Sequence, residues 1–200
     1  LKELTSIDNL NYDEAAGKVS FNKEGCALDF GAIAKGYTSS ELIKIFDSYG
    51  IESANISLGG NVQLKGNKPD GSLWRIGITD PSGSGFLGKL SAADKAVITS
   101  GGYERYFEDP ATGKIYHHIM DPETACPAES GIISATIVSS DGTLSDALST
   151  SFFIMGLERS TEFWREYGTD FDFILLCDDN ELYVTEGISS VFTSDLYKIN

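Results

Sequence analysis

The sequence predicts an α+β (mixed α/β) fold, and three observations support that class. Many short apolar segments of strand length are grouped together, only a few long segments have helical spacing, and the two kinds do not alternate regularly. The chain has 200 residues, of which 41% are hydrophobic and 22% charged. That length suffices for one sizeable core, or for one domain with a small lobe.

The first half of the chain contains one helix among several strands. Residues 1–26 are polar, and the helix predicted over 34–49 has Leu42, Ile43 and Phe46 on one face and ends at Gly50. A Gly-Gly-Asn break, a turn at 67–71 and a Gly/Ser loop at 82–85 separate the later strands. The strands are predicted at 18–21, 53–58, 62–65, 73–79, 88–91 and 96–99.

The second half contains the most apolar helix. A strand at 115–119 leads into Asp121-Pro122, and residues 131–139 alternate apolar and hydroxyl side chains, as a half-buried strand does. The helix over 143–155 is so apolar that we expect it to be central. A second helix over 160–167 precedes strands at 171–177 and 182–185.

Charge and cysteine content exclude several classes of function. The net charge of −15 argues against nucleic acid or anionic lipid as the main partner, and it makes a phosphate site unfavourable without a local cation. Three scattered cysteines are too few for a zinc site or a disulfide framework. The chain contains no apolar run of about 18 residues and no basic, apolar leader.

The run from Ala27 to Tyr37 has the composition of an anion site. An apolar strand brings in Asp29, a glycine opens the turn, and Lys35 lies in the first turn of the helix. A helix N-terminus with free N–H groups and a nearby cation binds phosphates readily. Taken alone, Asp29 either binds a ligand or caps the helix.

A second segment, Ser145-Asp-Ala-Leu-Ser-Thr150, has the composition of a metal site. Asp146 and Thr150 are four residues apart on a predicted helix, so that their oxygens lie on the same face. An unpaired Asp on such an apolar helix would be costly, and a cation would offset that cost. Oxygen ligands favour Mg²⁺ or Ca²⁺. The two segments together predict a hard metal ion that holds a phosphorylated ligand.

The only two histidines, His117 and His118, stand just before Asp121-Pro122. One of them is a candidate general base, and strand alternation predicts that only one faces the site. Two glycine pairs are weaker signals. Gly59-Gly60 is either a hairpin turn or a close approach to a ligand, and the loop at 99–105 is a weak phosphate or flavin signal.

The same segments, taken in order, resemble the ApbE family of FAD:protein FMN transferases. Six colinear motifs between residues 29 and 156 support the resemblance, which makes it far more specific than any one motif. They are Asp29-Phe-Gly-Ala-Ile-Ala-Lys-Gly-Tyr37, Asn55-Ile-Ser-Leu-Gly-Gly-Asn61, Trp74-Arg-Ile-Gly-Ile-Thr-Asp-Pro81, Thr99-Ser-Gly-Gly-Tyr-Glu-Arg105, His117-His-Ile-Met-Asp-Pro122 and Ser145-Asp-Ala-Leu-Ser-Thr150.

The resemblance implies a role for each of seven residues. His118 would be the catalytic base. The contacts with FAD would come from Asp29, Lys35 and the backbone of Met120, and the metal ligands would be the Ala32 carbonyl, Asp146 and Thr150. The family fold implied is a two-lobed arrangement with the flavin in the groove between the lobes.

The activity implied is metal-dependent protein flavinylation. FMN would pass from FAD to a Thr or Ser hydroxyl of an acceptor protein, with release of AMP, and no nucleic acid would be involved. Two alternatives stay open: an FAD pyrophosphatase that yields FMN and AMP, and a non-catalytic flavin-binding or assembly module.

The resemblance also implies an extracytoplasmic location, with the full-length protein anchored as a membrane lipoprotein. This chain departs from the family pattern at two places. The expected glycine of the Asp-Pro-x-Thr-Gly turn is Ala125, and only 28 residues precede Asp29 where the family has over a hundred. We therefore expect residues 1–200 to be a single ApbE-like flavin transferase domain, truncated at the N-terminus.

Overall fold

The computed structural model describes residues 2–83 and 85–200. Leu1 and Ser84 lie outside the described residues, so part of the predicted loop 82–85 is not described. Within the described ranges the chain forms fifteen strands and two α-helices, α1 (Ala34–Ser48) and α2 (Gly142–Tyr167). The strands are β1 (Leu10–Asp13), β2 (Lys18–Phe21), β3 (Ala54–Leu58), β4 (Asn61–Lys65), β5 (Trp74–Thr79), β6 (Phe86–Ala92), β7 (Ala96–Gly101), β8 (Tyr106–Glu108), β9 (Ile115–His117), β10 (Met120–Asp121), β11 (Cys126–Pro127), β12 (Ile132–Ser139), β13 (Phe171–Cys177), β14 (Leu182–Val184) and β15 (Phe192–Thr193).

A six-stranded sheet in the order β14-β13-β12-β7-β4-β3 is the centre of the fold, and every neighbouring pair in it is antiparallel. A three-stranded antiparallel sheet, β15-β6-β5, is separate from it. The remaining strands pair as three small antiparallel ribbons: β1-β2, β8-β9 and β10-β11.

Alternation along the central strands places apolar side chains on both faces of the six-stranded sheet. In β13, Ile174 and Leu176 belong to a core shared with the three-stranded sheet. Phe173 and Leu175 belong to a second core, which includes Phe152 of α2. Because successive strand residues point to opposite faces, one strand contributes to both cores. The result is three layers: small sheet, large sheet and helices.

The two helices pack against each other, α1 also contacts β4, and α2 also contacts β7 and β12. Gly156 interrupts α2 with φ 81° and ψ 172°, a backbone conformation outside the helical region. This break lies between the two predicted helices, 143–155 and 160–167, so both predictions are confirmed.

The α+β prediction is confirmed, whereas several short elements were not predicted. The sequence patterns do not indicate β1, β8, β10, β11 or β15, which have two to four residues each. Short strands contain too few residues for a period of two to be recognised. Gly59 and Gly60 form a hairpin turn between β3 and β4, with φ of 59° and 88°.

The turn that lacks its expected glycine closes nevertheless. Ala125 adopts φ 56°, in the left-handed region, and its N–H donates to the Asp121 carbonyl at 2.8 Å. An alanine in this region costs about 1–2 kcal/mol relative to a right-handed conformation. Among the helices described, none combines the length and the apolar character that crossing a membrane requires.

Candidate active site

The start of α1 is the structural centre of the candidate site. Ile33 occupies the N-cap position and its side chain makes no capping hydrogen bond. Asp146, which is 4% exposed on α2, supplies the missing acceptor: its Oδ2 receives the Gly36 N–H at 2.7 Å across 110 residues of sequence. A carboxylate near a helix N-terminus is stabilised both by the hydrogen bond and by the helix dipole.

Glycines let the two helices approach closely enough for this contact. A Cβ added to Gly36 would overlap the Gly142 carbonyl oxygen and lie 2.6 Å from the Asp146 Cβ. A Cβ added to Gly142 would lie 2.7 Å from the Ser39 Oγ and 2.9 Å from the Gly36 carbonyl oxygen. Both positions therefore require glycine for steric reasons and not for an unusual φ.

Opposing influences act on the pKa of Asp146. Burial raises the pKa of this carboxyl above its ordinary value, while the Gly36 N–H, the Lys35 ammonium and the Asn61 amide lower it. Lys35 itself is exposed and forms no ion pair within the part of the chain that the structure describes. The site thus has a buried carboxylate and a nearby cation that is available to a ligand.

Asp29 does not cap α1, which rules out one of its two predicted roles. Its Oδ1 accepts the Gly31 N–H at 2.6 Å, so the side chain closes the turn before the helix. Asp29 and Ala32 are both exposed at this turn. In residues 2–83 and 85–200 no backbone N–H donates to the Ala32 carbonyl, so this oxygen can bind a ligand.

Thr150 lies one helical turn after Asp146 on α2, as predicted, and is half-buried. The Oγ1 of Thr150 is 3.1 Å from the Oγ of Ser100. The same Ser100 Oγ is 2.8 Å from the Oγ of Ser149. Ser100 belongs to β7, so the Thr99-Ser-Gly-Gly motif reaches the site through this hydroxyl group. In the sequence, only the glycines of that motif stood out as a signal.

The two histidines differ in the state of their ring nitrogens. His117 is half-buried; its Nε2–H donates to the Ala128 carbonyl at 3.0 Å and its Nδ1 accepts the Ile119 N–H at 3.3 Å. The His118 ring is exposed, and its Nδ1–H donates to the Arg105 carbonyl at 3.2 Å. A carbonyl oxygen can only accept, so Nδ1 of His118 carries the proton and Nε2 keeps a free lone pair. Only His118 can accept a proton without losing an existing bond.

Met120 follows on the same segment, in the two-stranded ribbon β10-β11, where it pairs with Pro127. Its side chain is 47% exposed, whereas the preceding Ile119 is buried. His118 and Met120 therefore lie on the exposed side of a segment that Ile119 anchors in the core.

A cavity of about 480 Å³ lies on the other side of this segment, and His117 lines it together with Tyr103, Tyr106, Ile115 and Phe153. It is bounded mainly by aromatic and aliphatic side chains and does not include Asp146 or Lys35. The residues at the α1 N-terminus therefore lie outside this cavity.

The donor set fits a hard cation bound together with a phosphorylated ligand. Ala32, Asp146 and Thr150 offer a carbonyl, a carboxylate and a hydroxyl oxygen. No cluster of three or more His, Cys, Asp or Glu side chains suited to a metal occurs in the described ranges. Mg²⁺ commonly binds to one or two carboxylates and to substrate phosphates, so a single carboxylate is compatible with it.

Asn61 is a possible site residue that was not predicted from the sequence. It is 2% exposed, and its amide lies close enough to Asp146 to lower the pKa of that carboxyl, but neither Nδ2 nor Oδ1 completes a hydrogen bond with a described residue. The motif that contains it drew attention for its glycine pair only. A polar residue directly after a two-glycine turn, at the start of a buried strand, was the available signal.

Comparison with known proteins agrees with this fold and this set of motifs. The family model of the ApbE family matches residues 1–175. An FAD:protein FMN transferase of Treponema pallidum is 37% identical over 181 residues, which cover 85% of this chain and 49% of the relative. The FAD:protein FMN transferase of Klebsiella pneumoniae is 33% identical, over 91% of this chain and 55% of the relative.

Solved structures show the same fold. The ApbE protein of Thermotoga maritima superposes with a TM-score of 0.85 at 32% identity, over 95% of this chain and 61% of that one. A flavin transferase ApbE of Vibrio cholerae gives a TM-score of 0.79 at 26% identity, over 95% and 60%. The chain spans about half the length of the curated relatives that it matches.

The layered α+β fold is the fold of these flavin transferase structures. Because the family model matches residues 1–175 of the 200, the chain belongs to the ApbE family.

Proposed function

We propose that this chain takes part in metal-dependent transfer of FMN from FAD to a Thr or Ser hydroxyl of an acceptor protein, with release of AMP. The relatives named FAD:protein FMN transferase support this function. The observation that carries the proposal is the buried Asp146 carboxylate at the N-terminus of α1, beside the exposed Lys35.

In this proposal the pyrophosphate of FAD lies at the α1 N-terminus, where Lys35 contributes positive charge. Asp29 and the Met120 backbone contact other parts of FAD. Because Oδ2 of Asp146 is bound to the Gly36 N–H, Oδ1 is the oxygen left for a cation. Mg²⁺ (or Ca²⁺) would be held by Ala32, Asp146 and Thr150, and it would neutralise charge that develops on the pyrophosphate.

His118 is the base in this proposal. Its Nε2 takes the proton of the acceptor hydroxyl, whose oxygen forms a bond to the FMN-side phosphorus as the bond to the AMP oxygen breaks. The Arg105 carbonyl keeps the proton on Nδ1 and fixes the ring. FMN is then joined to the acceptor through a phosphoester, and AMP leaves.

Two other outcomes use the same site. If water replaces the acceptor hydroxyl, the chain is an FAD pyrophosphatase that releases FMN and AMP. A non-catalytic flavin-binding or assembly module is the alternative from another class.

The test is to incubate the chain with FAD, Mg²⁺ and an acceptor domain, and to measure flavin fluorescence in a denaturing gel together with free AMP. A fluorescent acceptor and AMP in equal amounts would support the transferase, and FMN with AMP the pyrophosphatase. FAD binding without either product would support the module. A chain that neither binds FAD nor forms product would contradict all three.

The histidines provide the sharper test. His118→Ala should lower transfer by about 10²–10⁴-fold, the usual contribution of a general base, with the melting temperature unchanged because its ring is exposed. His117→Ala should lower the melting temperature, since its ring packs edge-on against Phe153 at 5.4 Å and both its nitrogens are bonded. Normal transfer by the His118 variant beside an inactive, well-folded His117 variant would reverse the assignment.

We further propose that the full-length protein acts outside the cytoplasm as a membrane-anchored lipoprotein, which the family resemblance supports. Fractionation of cells that express the full-length gene would test the location. The assignment of residues 1–200 to one domain stays a prediction. The two cores that share the central sheet support it, and a single cooperative unfolding transition is expected.

A further inference from the structure

The buried amide of Asn61 is an unexplained polar group beside the candidate site. The side chain is 2% exposed, and both its polar atoms are without a hydrogen-bond partner among the described residues. Burying an amide without partners is unfavourable, so folded proteins contain few groups of this kind. Where one occurs, it commonly serves a functional role or binds an ion or a water molecule.

The hairpin turn at Gly59-Gly60 determines which way Asn61 faces. Asn61 is the first residue of β4 and pairs with Leu58 across the turn. Val62 and Leu64 pack into the core shared with the three-stranded sheet. By alternation, Asn61 and Gln63 face the opposite side, toward the helices.

Gln63 fixes the alignment of β4 with α2. Its Oε1 would lie 2.5 Å from a Cβ added to Gly142, so Gln63 and Gly142 are directly opposed. Two residues along a strand span about 6.6 Å, and one turn of a helix spans about 5.4 Å. Asn61 lies one step from Gln63 on the same face of β4, and Asp146 lies one turn from Gly142 on α2. The lowering of the Asp146 pKa by the Asn61 amide agrees with this placement.

We infer that Asn61 is a positioning residue of the cation site, which orients the Asp146 carboxylate through its Nδ2–H. Its Oδ1 would be left to accept a hydrogen bond from water that a bound cation retains. This inference rests on the proposed function, since it presumes that Asp146 binds a cation. In the Gly59-Gly60-Asn61 motif, the glycines then form the hairpin turn and Asn61 orients Asp146.

The experiment measures the melting temperature of the 200-residue chain against the concentration of Mg²⁺, and separately of Mn²⁺, with no FAD present. Asn61→Leu removes an amide with unmet hydrogen-bonding capacity and also the support that this amide gives to Asp146, so we expect the melting temperature without cation to change little. Its cation midpoint should rise about 10–100-fold, as for other residues that orient a metal ligand. A residue with a purely structural role would not produce this combination.

Two more variants sharpen the result. Asn61→Asp places a second carboxylate beside Asp146, so we expect a lower melting temperature without cation and a larger cation-induced rise. Gln63→Met is the matched control, on the same strand and face. It removes bonds to Ser39 and the Ser140 carbonyl and should lower the melting temperature without moving the cation midpoint.

The outcomes separate this inference from the proposed function. If the wild-type chain responds to cations and Asn61→Leu has the same midpoint, Asn61 does not position the site and only this inference fails. A melting temperature that falls on Asn61→Leu with the midpoint unmoved would likewise overturn it. A wild-type chain that responds to neither cation would overturn both the inference and the proposed cation site.

Discussion

The N-termini of the two helices are capped in different ways. At α2, Asp141 is the N-cap, and its Oδ1 accepts the N–H groups of Thr143 and Leu144 at 2.8 and 3.2 Å. At α1, Ile33 cannot cap, and the acceptor for the Gly36 N–H comes from Asp146 on the other helix. The start of α2 is capped by a residue next to it in sequence, and the start of α1 is capped by a residue on the other helix.

This difference shows where a ligand can bind. A cap two or three residues away occupies the N–H groups of its own helix start. A cap from a distant helix places a carboxylate beside the exposed turn of Asp29 and Ala32, with Lys35 nearby. The α1 start therefore combines a positive helix end with a carboxylate that can bind a cation.

Gly36→Ala should have the largest effect, because it forces the helices apart and breaks the long-range cap. Overpacking costs about 1–3 kcal/mol, and an unmet Gly36 N–H adds a further cost of about 1–3 kcal/mol. We expect the free energy of unfolding, measured with urea, to fall by about 3 kcal/mol or more. Thr38→Ala is the control on the same helix, since it loses only an exposed bond to the Ala34 carbonyl. Equal stability of the two variants would contradict the steric argument.

Two substitutions of Asp146 separate its capping role from its charge. Asp146→Ala leaves the Gly36 N–H unmet and should destabilise the protein by about 1–3 kcal/mol. Asp146→Asn keeps an oxygen acceptor, so most of the stability should remain, whereas the cation-induced rise in melting temperature should be lost in both variants. A full cation response in Asp146→Asn would remove this carboxylate from the proposed site.

The wild-type protein and Asp146→Asn should differ in how their stability depends on pH. Burial raises the pKa of Asp146 in the folded state above its ordinary value of 3.8. The unfolded chain therefore releases this proton first as the pH rises, and the wild-type loses stability between the ordinary and the raised pKa. Asp146→Asn has no such loss. The measurement is the free energy of unfolding of both proteins without cation, as a function of pH. The value for wild-type minus the value for Asp146→Asn should fall as the pH rises through this window. A difference that increases with pH would contradict the raised pKa of Asp146.

Much of the fold could be predicted because its main elements carry strong periodic patterns. The helices over 34–49 and 143–155 and the strand over 131–139 agree with α1, the first part of α2 and β12 within a few residues. The short ribbons could not be predicted, since two to four residues carry too little pattern. The order of the sheet strands is set by packing between distant segments, which local sequence does not specify.

The candidate site was predictable in its residue types but not in its connections. The sequence indicated Asp29 and Asp146 separately, and it left Asp29 as a possible cap for α1. The structure gives that role to Asp146, because the cap depends on the close approach of Gly36 and Gly142. Asn61 was missed for the same reason: its position opposite Asp146 depends on the register of β4 against α2.

The smallest expected effect is at the locally capped helix. Asp141→Ala removes a side chain that accepts two N–H groups at the start of α2, and loss of an N-cap costs about 1 kcal/mol. Because Asp141 is exposed and its bonds are local, the N–H groups it leaves can reach water, and the α1–α2 approach should persist. We therefore expect a small fall in the free energy of unfolding with the Mg²⁺ midpoint unchanged, and Asp141→Asn should restore the stability. A shift of the Mg²⁺ midpoint as large as that of Asp146→Asn would show that the two helix starts are coupled and that the contrast between them is wrong.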